Sequence, residues 1–397
     1  MPSYNIIDLA KPRIRDLGYS PGRFRPGPRN SLLDVQGVTV GQVTIHEDPD
    51  IHTGLTLIFP RGVHGTRQHP CYAASHDLNG MGEFTGSHGI AEWGYTNSPI
   101  ALTNTVSIGK VYDALFSFQF EQADALGEDD IESGRRMTIP VVGETFDGLL
   151  NDIRRSVIDK TTVYRAIEAA KMQTEILEGN HGGGTAMRCH GWKGGTGTSS
   201  RVVPGIGGKE YTLGVIVQAN HGAKLDLRIG NVPVGELLQR EGKEKDIEEV
   251  PLPAAGRAAE GSILVVIITD APLLPHQLRR IAQHAGMGIT QVGGHSAGRN
   301  ASGEIFLALS TGNEPNELAS SSGGFDYLPS LETHAVETLK NEVIDSLFYA
   351  TSEAVEEAIL NSLCKAETLR GFRGRTAEAL PVDRVRGLLE RYMVNID

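Results

Sequence analysis

Two groups of hydroxyl and carboxyl side chains stand at the start of strand-like segments in the second half of the sequence. Ser262 precedes the apolar residues 263–268, and Ser302 and Glu304 precede a second apolar run. A serine hydroxyl becomes a good nucleophile only when a neighbouring group takes its proton. These residues therefore suggest acyl-transfer chemistry, although a Gly-Ser step before a strand is more often a simple loop end.

The segment between the two groups determines whether they meet. Residues 275–286, "PHQLRRIAQHAG", carry apolar side chains at helical spacing, so the sequence predicts strand, helix and strand in succession. Such a crossover places both strands parallel in one sheet, with both starts at the same edge. We therefore expect Ser262, Ser302 and Glu304 to lie close together.

Cleavage of the chain itself would supply a base. If the bond between Gly261 and Ser262 were cut, the new α-amine would have an ordinary pKa near ~7.7–8.0 and could accept a proton at neutral pH. Gly261 lacks a Cβ and tolerates the strained backbone that exposes its carbonyl carbon. Self-cleavage would thus give Ser262 its own base.

The composition indicates a globular protein that works on small molecules. The chain has 397 residues, 39% of them hydrophobic, and a net charge of −12, which disfavours nucleic acid and anionic membranes as partners. It shows no signal-peptide pattern and no apolar run of about 18 residues. The three cysteines show neither disulfide nor zinc spacing. We therefore expect a cytoplasmic location.

The pattern of elements predicts a layered α/β protein. Residues 1–30 are rich in Pro, Arg and Gly and predict an extended arm that contacts a neighbouring subunit, while residues 31–397 form a single domain. Strand patterns occur early and in the middle, with amphipathic helices beside them, including one over residues 161–177. The glycine-rich stretch that begins at residue 179 is interpreted as a loop.

Other ligand-binding patterns are weak. The "GGTGTSS" segment lacks the order of a phosphate-binding loop. Histidines offer conceivable metal ligands, but no HExxH or HxH-plus-carboxylate pattern accompanies them, so the sequence predicts neither a metal nor an organic cofactor. The histidines considered are His64 with His69, and His181 with His190 and His221.

Seven segments resemble the DmpA-type family of L-aminopeptidases/D-amidase-esterases and β-peptidyl aminopeptidases. Five of them are "LNGMGEFTG" (78–86), "PIALTNT" (99–105), "PVVGETFDGLLNDI" (140–153), "KGGTGTSSRVV" (193–203) and "LGVIVQANHG" (213–222). The other two are "GSILVVIITDAPLLPHQL" (261–278) and "EAVEEAILNSLCKAETLRGFRG" (353–374). The similarity runs from residue 27 onward. It implies an αββα sandwich like that of N-terminal-nucleophile hydrolases, and a precursor that cuts itself into residues 1–261 and 262–397.

The resemblance also implies roles for individual residues. Asn220 matches the oxyanion-hole asparagine, Ser302 and Glu304 match a pair that orients the nucleophile, and Glu144 matches the acid that binds the substrate amine. Without the family motifs, a loop cap, a polar turn and a solvated carboxylate would be the simpler interpretations. Near Phe146 the family has an aromatic residue, sometimes a tyrosine. Phenylalanine cannot donate a hydrogen bond, so a second oxyanion donor there must be a backbone N–H or water.

The sequence thus predicts a self-processing serine aminopeptidase. It would release N-terminal amino acids from small peptides, amides or esters through an acyl-enzyme on Ser262, without a cofactor. Family analogy suggests a tetramer of processed heterodimers. An acyltransferase of the ornithine acetyltransferase type is the alternative within enzymes, although those proteins use threonine at the nucleophile. An uncleaved, non-catalytic scaffold is the alternative outside enzymes, and the sequence leaves the choice among L-α, D-α and β-amino acids open.

Overall fold

The computed structural model describes residues 11–129, 133–134, 136–137, 139–242, 262–293, 300–315 and 331–394. Most strands in these residues belong to two sheets. The first seven strands are β1 Thr39–Glu47, β2 Ile51–Phe59, β3 Cys71–Gly80, β4 Tyr95–Thr96, β5 Ile100–Asn104, β6 Val141–Thr145 and β7 Arg188–Cys189. The others are β8 Trp192–Lys193, β9 Gly195–Pro204, β10 Glu210–Ala219, β11 Ile263–Thr269, β12 Gly303–Ser310, β13 Leu369–Arg370 and β14 Thr376–Ala377.

The helices lie outside the sheets. They are α1 Gly62–Gln68, α2 Ser87–Trp93, α3 Ile108–Leu126, α4 Lys160–Ala170, α5 Val234–Gly242, α6 Pro275–Gly293, α7 Asp345–Cys364 and α8 Val382–Tyr392. One sheet has the strand order β1-β2-β5-β6, and the other has the order β4-β3-β12-β11-β10-β9. The pairs β7-β8 and β13-β14 form two small hairpins.

Strand β11 shows why the two sheets stack. Its side chains alternate between the two faces of the sheet, and both faces are apolar. Leu264, Val266 and Ile268 pack between the two sheets, whereas Ile263, Val265 and Ile267 pack on the opposite side. A strand that is buried on both faces must have a further layer packed on each side of its sheet.

Helices complete the two outer layers. On the four-stranded sheet, α3 and α4 pack their apolar side chains, among them Leu115 and Ile167, against the outer face. On the six-stranded sheet, α6 and α7 do the same with residues such as Ile281 and Ile359. The predicted αββα sandwich is therefore confirmed.

The crossover through α6 positions the chemical groups as expected. Strands β11 and β12 pair in parallel, with Ile263 opposite Glu304. Ser262 and Ser302 consequently stand at the same edge of the six-stranded sheet.

Two helix ends differ from the prediction because tertiary contacts override local signals. The helix predicted over residues 161–177 is α4, which ends at Ala170. The segment after it is held by Gln42 instead of continuing the helix. The Gln42 side chain donates to the Leu177 carbonyl (2.9 Å) and accepts from the Leu177 N–H (2.8 Å). Helix α6 continues past Gly286 to Gly293. There Gly288 lies so close to the α7 backbone that a Cβ would stand 2.6 Å from the Ser352 carbonyl oxygen.

The glycine-rich stretch is also more regular than predicted. Its second half forms β9, an edge strand of the six-stranded sheet. A Cβ on Gly197 would stand only 1.9 Å from the Ala358 carbonyl oxygen. The glycines therefore allow α7 to pack directly on the strand.

The described part of the predicted arm, residues 11–30, packs against its own chain. It contains a short 3-10 turn, Ile14–Leu17, and is held by carboxylates of α7. Arg15 pairs with Glu357 at 2.6 Å, and the Tyr19 hydroxyl donates to Glu356 at 2.6 Å. A contact with a neighbouring subunit stays a prediction.

Candidate active site

Ser262 lies at the start of β11, between the neighbouring strands β10 and β12 of the six-stranded sheet. It directly precedes β11 and is 8% exposed. Its hydroxyl oxygen accepts a hydrogen bond from the Gly303 N–H of β12 (3.1 Å), and its carbonyl accepts one from the Asn220 N–H after β10 (3.0 Å). Gly261 lies outside the described residues. Backbone groups on both sides thus fix the position of Ser262.

Ser302 and Glu304 form a buried pair beside it. The Ser302 hydroxyl donates to the Glu304 carboxylate, and the two residues are 1% and 0% exposed. The Asn79 side chain, which lies on β3, donates a hydrogen bond to the Ser302 carbonyl. The register between β12 and β3 shifts at Glu304, a bulge that changes the direction of side chains at the sheet edge. The predicted convergence of Ser262, Ser302 and Glu304 is present in the structure.

Asn220 has a fixed side-chain amide next to Ser262. Its oxygen accepts from the Arg188 N–H (2.8 Å), and its nitrogen donates to the Phe146 carbonyl (3.0 Å). An amide nitrogen has two hydrogens, so the same group can also donate to a substrate oxygen. The arrangement is suited to stabilising negative charge that develops during acyl transfer.

Phe146 contributes through its backbone to this arrangement, while its ring is 55% exposed. The turn that carries it is held by Asp147, whose buried carboxylate accepts from Thr53 (2.8 Å), Asn104 (3.0 Å) and Asn151 (3.0 Å). Burial raises the pKa of Asp147 to about 6. The four-stranded sheet therefore positions the carbonyl that orients Asn220.

Glu144 lies on β6 of the four-stranded sheet and is buried. Its carboxylate accepts from the Thr105 hydroxyl and from the Glu83 N–H at 3.2 Å. Burial raises the pKa of Glu144, and these hydrogen bonds counter part of that rise. A carboxylate held in this way can bind an ammonium group with little loss of side-chain freedom.

Gly82 lies close both to Glu144 and to the residues around Ser262. A Cβ on Gly82 would stand 3.4 Å from the Glu144 carboxylate oxygen and 3.7 Å from the Gly303 Cα. The two sheets also touch directly, since a Cβ on Gly143 would stand 2.7 Å from a methyl group of Leu264. Glu144 and Ser262 therefore belong to the same end of the sandwich, with Gly82 close to both the Glu144 carboxylate and the Gly303 backbone.

Several supporting residues were not identified from the sequence. Asn79, Gly82, Thr105 and Asp147 each hold or flank a predicted site residue. All four fall inside the segments that resemble the DmpA-type family, so those segments carried the signal. Arg188 acts through its backbone N–H, for which no side-chain pattern exists.

The sequence predicts no metal site, but the structure brings three side chains with potential metal-binding atoms close together. Within the described ranges, Cys189, His190 and His221 form a compact buried group. His181 does not belong to this group. Among the helices in the described part of the chain, none is long and apolar enough to cross a bilayer.

Comparison with known proteins identifies the family. The chain matches the profile of peptidase family S58 over residues 30–377. The beta-peptidyl aminopeptidase BapA of Sphingosinicella microcystinivorans is 39% identical over 392 residues, which cover 96% of this chain and 92% of that protein.

Solved structures agree. A Burkholderia sp. beta-aminopeptidase matches with a TM-score of 0.81 at 41% identity, covering 97% of this chain and 100% of that chain. The L-aminopeptidase D-Ala-esterase/amidase of Ochrobactrum anthropi, described as a prototype for the serine aminopeptidases and a variant of the Ntn-hydrolase fold, matches with a TM-score of 0.80 at 37% identity. This match covers 96% of the present chain and 99% of the Ochrobactrum anthropi chain. The predicted resemblance is confirmed, and the chain belongs to peptidase family S58, a family of peptide-bond hydrolases.

Proposed function

We propose that Ser262 is the nucleophile of this serine aminopeptidase and that it acts twice, first on its own chain and then on substrates. The observation that carries this proposal is the hydrogen bond from the Gly303 N–H to the Ser262 hydroxyl oxygen (3.1 Å). It places the hydroxyl at the edge where Asn220 and the buried Ser302-Glu304 pair are also found. Each of these groups has a use in acyl transfer at a serine.

The first reaction is cleavage between Gly261 and Ser262. The Ser262 Oγ attacks the Gly261 carbonyl carbon, the peptide C–N bond breaks, and the acyl group passes from nitrogen to oxygen. Water then hydrolyses the ester and leaves a carboxylate on Gly261 and a free α-amine on Ser262. From a chain of 42.7 kDa, fragments of roughly 28 and 15 kDa result by proportion.

The second reaction uses the new amine. It takes the hydroxyl proton of Ser262 while Oγ attacks the first carbonyl of a substrate, and it later returns the proton to the leaving nitrogen. The Asn220 amide donates to the developing oxyanion. The Ser302-Glu304 pair holds the amine in position. Water releases the acyl group as a free amino acid.

Glu144 is proposed to select substrates that have an N-terminal ammonium group. Its buried carboxylate is held by two donors, and Gly82 lies close both to this carboxylate and to Gly303, whose N–H donates to the Ser262 hydroxyl oxygen. Both curated relatives are named as β-peptidyl aminopeptidases, whereas the Ochrobactrum anthropi enzyme is named for L-amino acids and D-Ala esters and amides. A panel of chromogenic L-α, D-α and β-amino-acid amides determines which of these this chain prefers.

Replacement of Ser262 by alanine tests both reactions. We expect the parent to show two fragments whose smaller one begins Ser-Ile-Leu-Val, and S262A to show one uncleaved band without activity. S352A is the matched control, because Ser352 is a buried serine on α7 that bonds to His284 (3.1 Å) in another part of the fold. Fragments of the same size from S262A would mean that another protease makes the cut.

The alternatives give different results in the same experiment. A single band near 43 kDa from the parent, without hydrolysis, would favour the non-catalytic scaffold. Transfer of the acyl group to an added amino acid in preference to water would favour the acyltransferase.

We further propose that the processed heterodimers assemble into a tetramer in the cytoplasm. Large apolar side chains at the surface of the described chain support association, including Trp93 (70% exposed) and Tyr349 (69% exposed). Light scattering on the processed protein gives the mass, and cell fractionation gives the location. A mass of one processed heterodimer would contradict the assembly.

A further inference from the structure

A second cluster of reactive side chains lies next to Asn220, between the β7-β8 hairpin and the segment after β10. Cys189 and His190 belong to the β7-β8 hairpin, and His221 follows Asn220 in the chain. One potential ligand atom from each of the three lies within 4.8 Å of the other two. The residues are 0%, 0% and 1% exposed, and the proposed peptidase reaction uses none of them.

The separations are close to those of a metal site. The Cys189 sulfur and the His221 Nδ1 are 3.9 Å apart. In a tetrahedral zinc site, with Zn–S near 2.3 Å and Zn–N near 2.0–2.1 Å, a sulfur and a nitrogen ligand stand about 3.6 Å apart. A shift of a few tenths of an ångström between the two side chains would bring them to that spacing.

The surroundings of the histidines also suit a ligand role. The His190 Nδ1 lies 3.1 Å from the Ala223 carbonyl oxygen, a contact that fixes the tautomer and ring orientation of a metal-binding imidazole. The His190 N–H donates to the His221 carbonyl at 2.6 Å, which ties the two segments together. The His221 nitrogen that faces the Cys189 sulfur is Nδ1, so this atom is placed to share an ion with the thiolate.

We propose that Cys189, His190 and His221 bind one Zn²⁺ ion per chain. One thiolate and two imidazoles match zinc, whereas Mg²⁺ and Ca²⁺ require oxygen ligands. Binding transfers the Cys189 thiol proton to solvent and involves no change of oxidation state. A water molecule or another exogenous ligand completes the coordination.

The role of the ion would be structural support of the active site. It would join the β7-β8 hairpin to the segment after β10. The same hairpin supplies the Arg188 N–H that holds the Asn220 side-chain oxygen at 2.8 Å. Zinc would therefore fix the orientation of Asn220 without touching a substrate, which makes the three ligands positioning residues.

The full processed protein, produced in zinc-supplemented medium, provides the test. After gel filtration with a weak chelator, elemental analysis should find close to one zinc per chain. Substitution with Co²⁺ should give a thiolate-to-cobalt charge-transfer band. In competition with a chromophoric chelator, C189S and H221N should bind Zn²⁺ at least about 100-fold more weakly than the parent. C71S, which changes another buried free cysteine, is the matched control and should keep the full zinc content.

Thermal melting keeps the test informative if a ligand variant is unstable. Added Zn²⁺ should raise the Tm of metal-free parent and of S262A, but not of H190N or H221N. Binding by S262A separates this proposal from the peptidase mechanism, since the ion does not depend on a working nucleophile. Less than a tenth of a zinc per chain in the parent, or equal binding by parent and C189S, would overturn the proposal.

Discussion

The two sheets differ in how they hold their functional groups. At the edge of the six-stranded sheet, Ser262 is fixed by backbone groups from the strands on both sides of it, and the neighbouring Ser302-Glu304 pair is fully buried. In the four-stranded sheet, Glu144 is a single carboxylate held by one hydroxyl and one N–H. The first arrangement suits chemistry, which requires exact placement of atoms, and the second suits recognition of a charge. Substitutions on the two sheets should therefore affect different kinetic constants.

Replacing Asn220 by alanine should have the largest effect after loss of Ser262. We expect kcat to fall about 10²–10³-fold with a much smaller change in KM, because an oxyanion donor acts mainly in the transition state. The measurement is steady-state kinetics on processed enzyme, normalised to the cleaved fraction. N180A is the control, since Asn180 is a half-buried asparagine that bonds to Glu367 (3.0 Å). A change in KM alone would assign Asn220 to substrate binding.

Replacing Glu144 by glutamine should mainly weaken substrate binding. Loss of a hydrogen bond to a charged group costs about 1.5–3 kcal/mol, or about 10- to 150-fold in kcat/KM. The parent should strongly prefer a free N-terminal amine over the N-acetylated substrate, and E144Q should lose that preference. E83Q keeps the Glu83 N–H and removes only a nearby charge, so its effect should be smaller. An unchanged preference in E144Q would place amine recognition elsewhere.

The pH dependence of kcat/KM tests the same role of Glu144. Burial raises the pKa of Glu144, so protonation removes its charge at a higher pH than for an ordinary glutamate. Amine binding should then weaken as the pH falls through this raised pKa. The acid limb of kcat/KM in the parent should be absent or displaced in E144Q.

Replacing Thr105 by valine should have the smallest effect. The Thr105 hydroxyl donates to Glu144 and lowers the pKa of that carboxyl, so T105V should move the acid limb of kcat/KM to higher pH. At neutral pH we expect only a several-fold loss, since one hydrogen bond is typically worth about 0.5–1.5 kcal/mol. T105S keeps the hydroxyl and should restore the parent profile. A shift to lower pH would contradict this role.

Part of the site followed from local patterns in the sequence. The apolar run after Ser262, the helical spacing that follows it and the crossover rule together placed Ser262 beside Ser302 and Glu304. Glu144 and Asn220 required the resemblance to a known family, because an isolated acid and an isolated asparagine have no local signature. Their supporting contacts come from residues such as Thr105 and Asp147, which lie on other strands and turns.

The sequence by itself determined the layered α/β fold and the edge at which the serine stands, because both depend on the periodicity of apolar residues and on the strand-helix-strand crossover. The tertiary structure alone decided where α4 ends, how Gly197 lets α7 pack on β9, and that Cys189 meets His221. Those features depend on contacts between segments distant in the chain, and such contacts exist only after the sheets and helices have packed.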